Sequence, residues 1–250
     1  MDSLELDRYG RHILLKEIGG SGQLKLSNSQ VTMIGAGGLG SIVLYYLVAA
    51  GVGKIQIVDN DIVSLSNLQR QILFKDVDIG LKKVFSARRN LLELNPLVEI
   101  SVFDERLSAE NGSQIIGKSD LIIDGTDNYK SKALICREAF KNQTPLIYGG
   151  LSQWEGQVCI FDPNLPSACF ECIFPNEPNQ NVEENCANLG IMGPTVGVIG
   201  SLMAGEAIKL ITSSGTTLVD QILTYDCLHG EFQRFQVEKR NGCPICSRKI

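Results

Sequence analysis

A glycine-rich turn near the start of the chain has the spacing of an anion-binding site. Gly35, Gly37 and Gly40 in "VTMIGAGGLGS" match the pattern G-x-G-x-x-G, with Gly38 between them. The pattern follows an apolar run and precedes another, which is typical of a strand turning into a helix whose N-terminus binds an anion. Asp59 ends the next apolar run, where a carboxylate can accept hydrogen bonds from a ribose. The turn predicts an adenosine-containing ligand but does not distinguish NAD, FAD and ATP. The alternative is a glycine-rich turn that binds no ligand.

Cations and carboxylates follow the predicted strands. Arg70 ends the polar stretch "DNDIVSLSNLQR", and Lys83 comes shortly after it. A guanidinium and an ammonium are suited to binding a triphosphate. The alternative is that both residues belong to a solvated basic surface. The apolar run "DLIIDGTDN" carries Asp124 and Asp127 to the end of another strand, on the expected ligand side. Asp127 is the candidate for holding Mg²⁺, and capping of the helix that begins near Asn128 is its alternative role.

Four of the eight cysteines form two C-x-x-C pairs, Cys169 with Cys172 and Cys243 with Cys246. Two such pairs in a cytosolic chain predict a closed, tetrahedral zinc site that connects the tail to the body. A closed thiolate shell leaves no open position, so we expect this zinc to be structural. A redox pair is the alternative, which we disfavour because neither pair is expected to open a helix after a strand.

The other four cysteines divide into two kinds. Cys136, Cys159 and Cys227 have apolar neighbours and are predicted to lie in the core. Cys186 lies in the polar stretch "EENCANLG", where a thiol would be exposed and a helix N-terminus could lower its pKa. Cys186 is therefore either a nucleophile or a bystander.

The elements that must position these residues alternate along the chain. Strand-like runs such as "VTMIG", "KIQIVD" and "DLIIDG" alternate with stretches of helical period, which predicts an α/β fold with a doubly wound, mostly parallel sheet. We expect a single domain over 1–250, with a Rossmann-like part at about 28–150 and a different part at about 151–250. The helix "SARRNLLEL" is predicted to end at Asn95 before Pro96, and 174–190 to form a loop.

Composition and charge limit the classes of function. The 250 residues are 44% hydrophobic and carry a net charge of −5 with scattered basic residues, which argues against nucleic-acid binding. We find neither a signal peptide nor an uninterrupted apolar span of about 20 residues, so we expect a soluble, cytoplasmic protein without membrane contact. The two histidines, His12 and His229, stand in no catalytic motif, which weighs against an NAD-dependent dehydrogenase.

In chain order, the sequence motifs resemble those of the ThiF/MoeB/HesA family within the ubiquitin-activating-enzyme superfamily. The resemblance rests on the two cysteine pairs and on "RYGRHILL", "GAGGLGS", "SLSNLQRQ", "GTDN" and "IMGPTVGVIGS". It implies an enzyme that uses ATP to adenylate the C-terminal glycine of a small ubiquitin-like sulfur-carrier protein, releasing pyrophosphate. That chemistry needs charge neutralisation by cations and Mg²⁺ but no general base, since a carboxylate is already ionised at pH 7.

The resemblance also assigns roles to individual residues. It implies that Asp59 binds the ribose, that Arg11 reaches the phosphates of a neighbouring subunit in a homodimer, and that Cys186 joins covalently to the carrier in some members. The nucleotide site is then expected to comprise Gly35, Gly37, Gly38, Gly40, Asp59, Asp61, Asn67, Arg70, Gln71, Lys83 and Asp127.

The partners implied by the resemblance are a carrier with a Gly-Gly C-terminus and a separate sulfur donor. The sequence ends soon after Cys246 without a rhodanese domain, so we expect sulfur from a cysteine desulfurase or a rhodanese. "RYGRHILLKEIGGSGQ" slightly favours a MoaD-like carrier of molybdopterin biosynthesis over a ThiS-like carrier of thiamine biosynthesis. A non-catalytic scaffold that holds a ubiquitin-like tail and an NAD-dependent dehydrogenase are the remote alternatives.

Overall fold

One eight-stranded sheet organises the structure, a computed structural model that describes residues 1–177 and 190–247. The strands are β1 (Gln30–Ile34), β2 (Lys54–Val58), β3 (Glu99–Phe103), β4 (Leu121–Asp124), β5 (Leu146–Ser152), β6 (Glu155–Phe161), β7 (Gln221–Asp226) and β8 (Glu231–Gln236). The helices are α1 (Ser3–Ile13), α2 (Gly19–Asn28), α3 (Gly38–Ala50), α4 (Lys83–Leu94), α5 (Gly112–Ile116), α6 (Tyr129–Lys141), α7 (Phe170–Ile173) and α8 (Gly193–Thr212). The sheet order is β3-β2-β1-β4-β5-β6-β7-β8.

The first five strands of the sheet are parallel, and both of their faces are covered. Side chains alternate between two hydrophobic cores: Leu121 and Ile123 belong to one, and Ile122, between them, belongs to the other. Residues of α3, α4 and α8 complete the first core, while residues of α5, α6 and α7 complete the second. The predicted α/β fold with a doubly wound, mostly parallel sheet is confirmed.

The order of the parallel strands reverses between β1 and β4. The chain runs from β1 outward to β2 and β3, and then returns to place β4 on the other side of β1. Ligands of doubly wound folds bind beyond the carboxyl ends of the strands at such a reversal. The glycine turn after β1 and the segment 125–128 after β4 flank this point.

The remaining strands extend the sheet in antiparallel fashion. The β5–β6 and β7–β8 hairpins pair through β6 and β7, and β8 forms an exposed edge. The predicted helix end at Asn95 is confirmed, because α4 stops there. Asn95 also links two other elements, since its Nδ2 donates to the Tyr9 hydroxyl at 2.9 Å and to the Val48 carbonyl at 2.8 Å. The predicted loop at 174–190 lies largely outside the described residues.

The long helix α8 is apolar enough, by length and composition, to cross a membrane. In the structure half of its most apolar window is buried inside the fold, where α8 packs on α3 and β5. Glu206 in α8 accepts a hydrogen bond from the backbone N–H of Leu218 at 2.9 Å. Glu206 and Lys209 interrupt its apolar sequence, and its burial and packing are those of a core helix of the α/β fold.

Candidate nucleotide and metal sites

The glycine turn brings the start of α3 to the reversal point of the sheet. Gly35 has a φ of +92°, a backbone conformation that side-chain-bearing residues rarely adopt. A side chain at Gly40 would collide with the Gly35 carbonyl oxygen, so the turn can only close around glycine. Gly37 and Gly38 line the adjoining cavity, where the first N–H groups of α3 have no partner within the helix. This arrangement is suited to an anion.

A cavity of about 340 Å³, termed here the first cavity, opens at this turn. Gly40 and Asn67 lie outside its lining. The Asn67 Oδ1 instead accepts a hydrogen bond from the Ser64 N–H at 3.3 Å, which closes the local turn. The other residues predicted for the nucleotide site all line this cavity, namely Gly35, Gly37, Gly38, Asp59, Asp61, Arg70, Gln71, Lys83 and Asp127.

Asp59 lies at the end of β2, and its carboxylate braces the turns around the cavity. One oxygen accepts from the Ala36 N–H at 2.8 Å and the other from the Asp61 N–H at 2.8 Å. Each carboxylate oxygen can accept more than one hydrogen bond, so a ribose contact is still compatible with this geometry. The bracing of the glycine turn is a role that the motif alone did not reveal.

The two predicted cations reach the first cavity from different elements. Lys83 begins α4 and is 5% exposed, and its Nζ lies 2.9 Å from an Asp61 carboxylate oxygen that faces solvent. The Arg70 Nη1 donates to the Ser66 carbonyl at 3.1 Å, which leaves other guanidinium N–H groups available. The cavity thus has cations where phosphates would enter.

Gln71 is the most buried polar side chain in the lining, with 4% exposure. Its Oε1 has no hydrogen-bond partner among the described residues. An unpaired buried amide oxygen costs free energy, and Gln71 keeps this cost in the wall of the first cavity.

Asp127 does not cap the helix that follows it, so that alternative is wrong. Asn128 is the N-cap of α6, and its side chain accepts from the Ser131 N–H at 2.9 Å. The Asp127 carboxylate is exposed, and its recorded contact is with the Asn128 Nδ2 at 3.3 Å. Asp124 is buried and lies outside the lining of the first cavity, contrary to the expectation that it would reach the ligand side. Only Asp127 of the two is placed to hold a hard cation against a ligand.

Sequence reasoning missed two charged residues of the first cavity. Glu105 and Arg106 follow β3 and line the cavity, and the Arg106 Nη2 lies 3.4 Å from the Ser131 hydroxyl. The signal was present, because "EISVFDER" ends a parallel strand on the same edge of the sheet. These residues add a second guanidinium to the site.

A second cavity of about 430 Å³ adjoins the first. Thr126, Asp127 and Leu151 line both, so the cavities meet at the end of β4. The second cavity extends along the antiparallel strands, and its far wall carries three further carboxylates, those of Glu155, Asp226 and Glu231.

His229 lies outside the lining of both cavities but pairs with one wall residue. The hydrogen bond and charge of Asp226, whose carboxylate oxygen is 2.7 Å from the His229 Nδ1, raise the pKa of His229. The same contact lowers the pKa of Asp226. Neither His229 nor His12 is placed as a general base in these cavities.

Arg11 lies in the last turn of α1, where its side chain is exposed. It is absent from the lining of both cavities within the described chain. Its predicted contact with the phosphates of a neighbouring subunit is therefore a prediction that a single chain does not test.

The two cysteine pairs meet, as the spacing predicts. The four sulfurs of Cys169, Cys172, Cys243 and Cys246 lie within 4.8 Å of one another. The Cys169–Cys243 distance is 3.5 Å and the Cys172–Cys246 distance is 3.4 Å. The cluster joins α7, with Cys169 as its N-cap and Cys172 within it, to the C-terminal segment, and it is compatible with a tetrahedral metal site.

The chemistry of these sulfurs fits a metal-bound thiolate set. Burial disfavours ionisation of Cys243, but hydrogen bonds from the backbone N–H groups of Cys246 and Ile245 outweigh it and lower the pKa to about 7. The Arg240 N–H donates to the Cys172 sulfur at 3.3 Å. Burial raises the pKa of Cys246, so converging thiolates require a cation.

The expectations for the remaining cysteines are met in part. Cys136 and Cys159 are fully buried in the core, whereas Cys227 is only partly buried at the end of β7 and is not a core residue. Cys169 does open a short helix, α7, so the stated reason against a redox pair was wrong for that motif. The convergence of all four sulfurs is the better argument against it. Cys186 lies outside the described residues.

The fold and first cavity define a doubly wound protein with a nucleotide-type anion site. Residues 9–245 match the ThiF family. A sulfur carrier protein adenylyltransferase of Thermus thermophilus is 40% identical over 97% of this chain and 91% of its own length. The SAMP-activating enzyme E1 of Haloferax volcanii is 36% identical over 98% of this chain and 90% of its own length. A probable molybdopterin-synthase adenylyltransferase of Porphyra purpurea is 43% identical over 93% of this chain and 61% of its own length.

This chain belongs to the ThiF family, which confirms the resemblance drawn from its motifs. It is accordingly an enzyme of the nucleotidyltransferase class. A crystal structure of E. coli MccB with ATP has a TM-score of 0.85 at 22% identity, covering 98% of this chain and 75% of that one. At that identity the likeness shows the fold alone.

Proposed function

We propose that this enzyme uses ATP to adenylate the C-terminal glycine of a small ubiquitin-like sulfur-carrier protein and releases pyrophosphate. The observation that carries the proposal is the meeting of the two cavities at Asp127. One cavity is lined by groups suited to phosphates, and the other would give a second substrate access to the same point. Adenylyl transfer needs both substrates at one phosphorus atom.

The proposed reaction balances without an acid or base from the protein. A carboxylate oxygen of the carrier attacks the α-phosphorus of ATP, and the bond from that phosphorus to the bridging oxygen breaks. Pyrophosphate leaves with the electron pair, and the carrier becomes an acyl-adenylate. Because the attacking carboxylate is already ionised at pH 7, the placement of His12 and His229 away from both cavities is consistent with this step.

The chain's own residues would contribute binding and charge neutralisation. Gly37, Gly38, Arg70 and Lys83 line the first cavity, in which the phosphates would lie. Asp59 would hold the ribose as the fingerprint predicts. These roles follow from position in the first cavity and from the family pattern.

The residues present fit Mg²⁺ and zinc, the two metals that the resemblance to the family implies. Asp127 has an exposed carboxylate whose recorded partner is a neighbouring amide, so it is free to bind Mg²⁺, which would neutralise phosphate charge during the reaction. The Cys169, Cys172, Cys243 and Cys246 sulfurs would hold a structural zinc.

The carrier tail would occupy the second cavity, which is lined mostly by the part of the chain at 151–250 together with residues of β5. Gly150 lines that cavity, and a side chain there would collide with the Tyr148 hydroxyl, which lines it too. The absence of a side chain leaves room for an extended Gly-Gly end. We assign the carrier to the MoaD-like type of molybdopterin biosynthesis, in keeping with the molybdopterin-synthase relative. A ThiS-like carrier of thiamine biosynthesis is the second candidate.

The remaining assignments complete the functional proposal. The enzyme would act as a homodimer in the cytoplasm, where reduced thiols can bind zinc. Sulfur would come from a separate donor such as a cysteine desulfurase or a rhodanese. Cys186 would be a candidate for a covalent link to the carrier.

ATP–pyrophosphate exchange tests the proposal. The protein is incubated with Mg-ATP, labelled pyrophosphate and either a MoaD-like or a ThiS-like carrier. We expect exchange that requires one carrier and disappears when the last glycine of that carrier is removed. No exchange with either carrier, from a folded and zinc-loaded protein, would contradict adenylation and favour a scaffold that only binds the tail.

A further inference from the structure

A buried ion pair lies beside the second cavity, close in sequence to Thr126 and Asp127, where the two cavities meet. Lys132 of α6 is 8% exposed and Asp124 at the end of β4 is 1% exposed, and the Lys132 Nζ lies 3.3 Å from an Asp124 carboxylate oxygen. Burying two charges costs free energy that a pair only partly recovers, so such a pair suggests a role beyond stability. The adenylation chemistry described above uses neither residue.

Three neighbours hold the Lys132 ammonium group in place. Besides Asp124, its Nζ lies 2.6 Å from the Gly149 carbonyl oxygen and 4.7 Å from the centre of the Tyr148 ring. The ring face is a favourable partner for a cation. Although Lys132 lines the second cavity, its hydrogen bonds are directed into the protein, to Asp124 and Gly149.

Asp124 in turn holds the turn that follows β4. Its other carboxylate oxygen accepts from the Thr126 N–H at 2.8 Å and from the Thr126 hydroxyl at 2.6 Å. On the other side of Asp127, Asn128 is held by its capping bond to Ser131. The Asp127 carboxylate is therefore placed by its neighbours, because it has little contact of its own.

We propose that Lys132 is a positioning residue that fixes the 124–127 turn, and with it the Asp127 carboxylate, at the junction of the two cavities. This inference rests on the proposed function, in which Asp127 holds Mg²⁺. Without Lys132, Asp124 would be a buried carboxylate lacking a cation, and it would draw water into the turn. That change would loosen Thr126 and displace Asp127.

The test is the variant Lys132→Met, with Mn²⁺ as a paramagnetic probe in place of Mg²⁺. Mn²⁺ binding is measured by electron paramagnetic resonance in the presence of a non-hydrolysable ATP analogue. We expect binding to weaken about tenfold or more, as is usual when a group supporting a metal ligand is removed. Exchange should require correspondingly more Mg²⁺, while the KM for the carrier stays near its wild-type value.

Lys130→Met is the matched control. Lys130 lies on the same helix, is 63% exposed and pairs with Glu177 at 3.4 Å, so its loss changes the charge equally without touching the turn. It should bind Mn²⁺ as the wild type does. Lys132→Arg retains a cation and should restore most of the Mn²⁺ affinity.

Two results would overturn the inference. A folded Lys132→Met protein that binds Mn²⁺ like the control would show that the ion pair does not position Asp127. An increase in the KM for the carrier with unchanged Mn²⁺ binding would instead make Lys132 a direct contact of the tail.

A second variant covers the case in which Lys132→Met fails to fold. Thr126→Val removes the hydroxyl hydrogen bond to Asp124 and leaves the ion pair and the Thr126 N–H bond intact. Mn²⁺ binding should therefore weaken severalfold, but less than in Lys132→Met, and unchanged binding would reject the inference. Mn²⁺ binding needs no carrier, whereas wild-type exchange does. Failure of the proposed function would thus appear in exchange alone.

Discussion

At the scale of single residues, the first cavity contains an ion pair whose cation is buried and whose carboxylate is exposed. Lys83 is nearly fully buried, yet the Asp61 side chain that pairs with it is 63% exposed. Removing Lys83 therefore leaves a carboxylate that water can solvate, with little cost in folding free energy. Its position in the cavity is better explained by phosphate binding than by stability.

We predict that Lys83→Ala and Arg70→Ala each lower kcat/KM for ATP–pyrophosphate exchange by about 100-fold or more, because preorganised charges at the phosphates are lost. Thermal unfolding should change little. Lys75→Ala and Arg88→Ala remove exposed cations outside the cavity and are the matched controls. Near-normal exchange in the folded Lys83 and Arg70 variants would rule out this phosphate role.

The His229–Asp226 pair gives a prediction about pH. Asp226 raises the pKa of His229 above 6.5, so this pair stabilises the folded state fully below that value, and the contribution is lost as pH rises through the folded-state pKa. For Asp226, whose pKa is lowered from 3.8, the contribution is present above that value and is lost as pH falls through the folded-state pKa. NMR titration should give a His229 midpoint above 6.5 that Asp226→Asn returns toward the ordinary value. An unchanged midpoint in that variant would contradict the pairing.

Some residue roles could be predicted from the sequence and others could not. The glycines and Asp59 follow a local pattern whose geometry is dictated by backbone sterics. Asp127 and Asn128 are both good capping residues, so only the backbone path decides that Asn128 caps and Asp127 faces the cavity. Lys132 appears in sequence as one of several lysines on a helix, and its partner is brought close by tertiary packing.

At the scale of elements, the cysteine cluster holds two distant segments together. Cys169 and Cys243 are 74 residues apart in sequence, while Cys243 is almost fully buried. Closing a loop of this length restricts the unfolded chain by about 4 kcal/mol in the chain-entropy model. A bound metal would provide that constraint only while it is present.

We predict one zinc per chain, and a fall of several kcal/mol in the free energy of unfolding when a strong chelator removes it. Cys246→Ser should reproduce this loss, because one ligand of the set is removed. Cys227→Ser is the control, since Cys227 is partly buried and outside the cluster. Metal analysis by mass spectrometry and thermal unfolding check the prediction, and a metal-free protein of unchanged stability would refute it.

The elements themselves could be predicted where their patterns are local. Strands buried on both faces appear as continuous apolar runs, and the end of α4 at Asn95 is signalled by the following Pro96. The short helix after Cys169 was not predicted, because four residues give no periodicity. The Arg106 contribution was missed for a similar reason, since its segment has no motif and reaches the site only through strand order.

At the scale of the whole molecule, the two halves of the sheet form two different cavities. The reversal in the parallel half forms the first cavity, and the antiparallel half forms most of the second. Because β4 ends next to Thr126 and Asp127, which line both cavities, a change at that end would displace Asp127. This explains why a buried pair such as Lys132 and Asp124 can matter for a reaction that it does not touch.

The last prediction concerns assembly of the active site from two chains. Arg11 is exposed and absent from the cavity lining of its own chain. Large apolar side chains close in sequence to the lining residues Gln71 and Lys83 are also exposed, namely Ile72 and Phe85. An isologous dimer would cover such a surface and could bring Arg11 to the partner's phosphates. We therefore expect Arg11→Ala to abolish exchange without unfolding the chain.

Mixing Arg11→Ala with Lys83→Ala tests this arrangement. Each variant alone should be inactive, but a mixed dimer has one site with both residues, formed by Lys83 of one chain and Arg11 of its partner. Random exchange of subunits should then restore about a quarter of the wild-type activity. Native mass spectrometry verifies that mixed dimers have formed. If they form and exchange stays absent, Arg11 does not act across the interface, and full activity of Arg11→Ala alone would remove it from the site altogether.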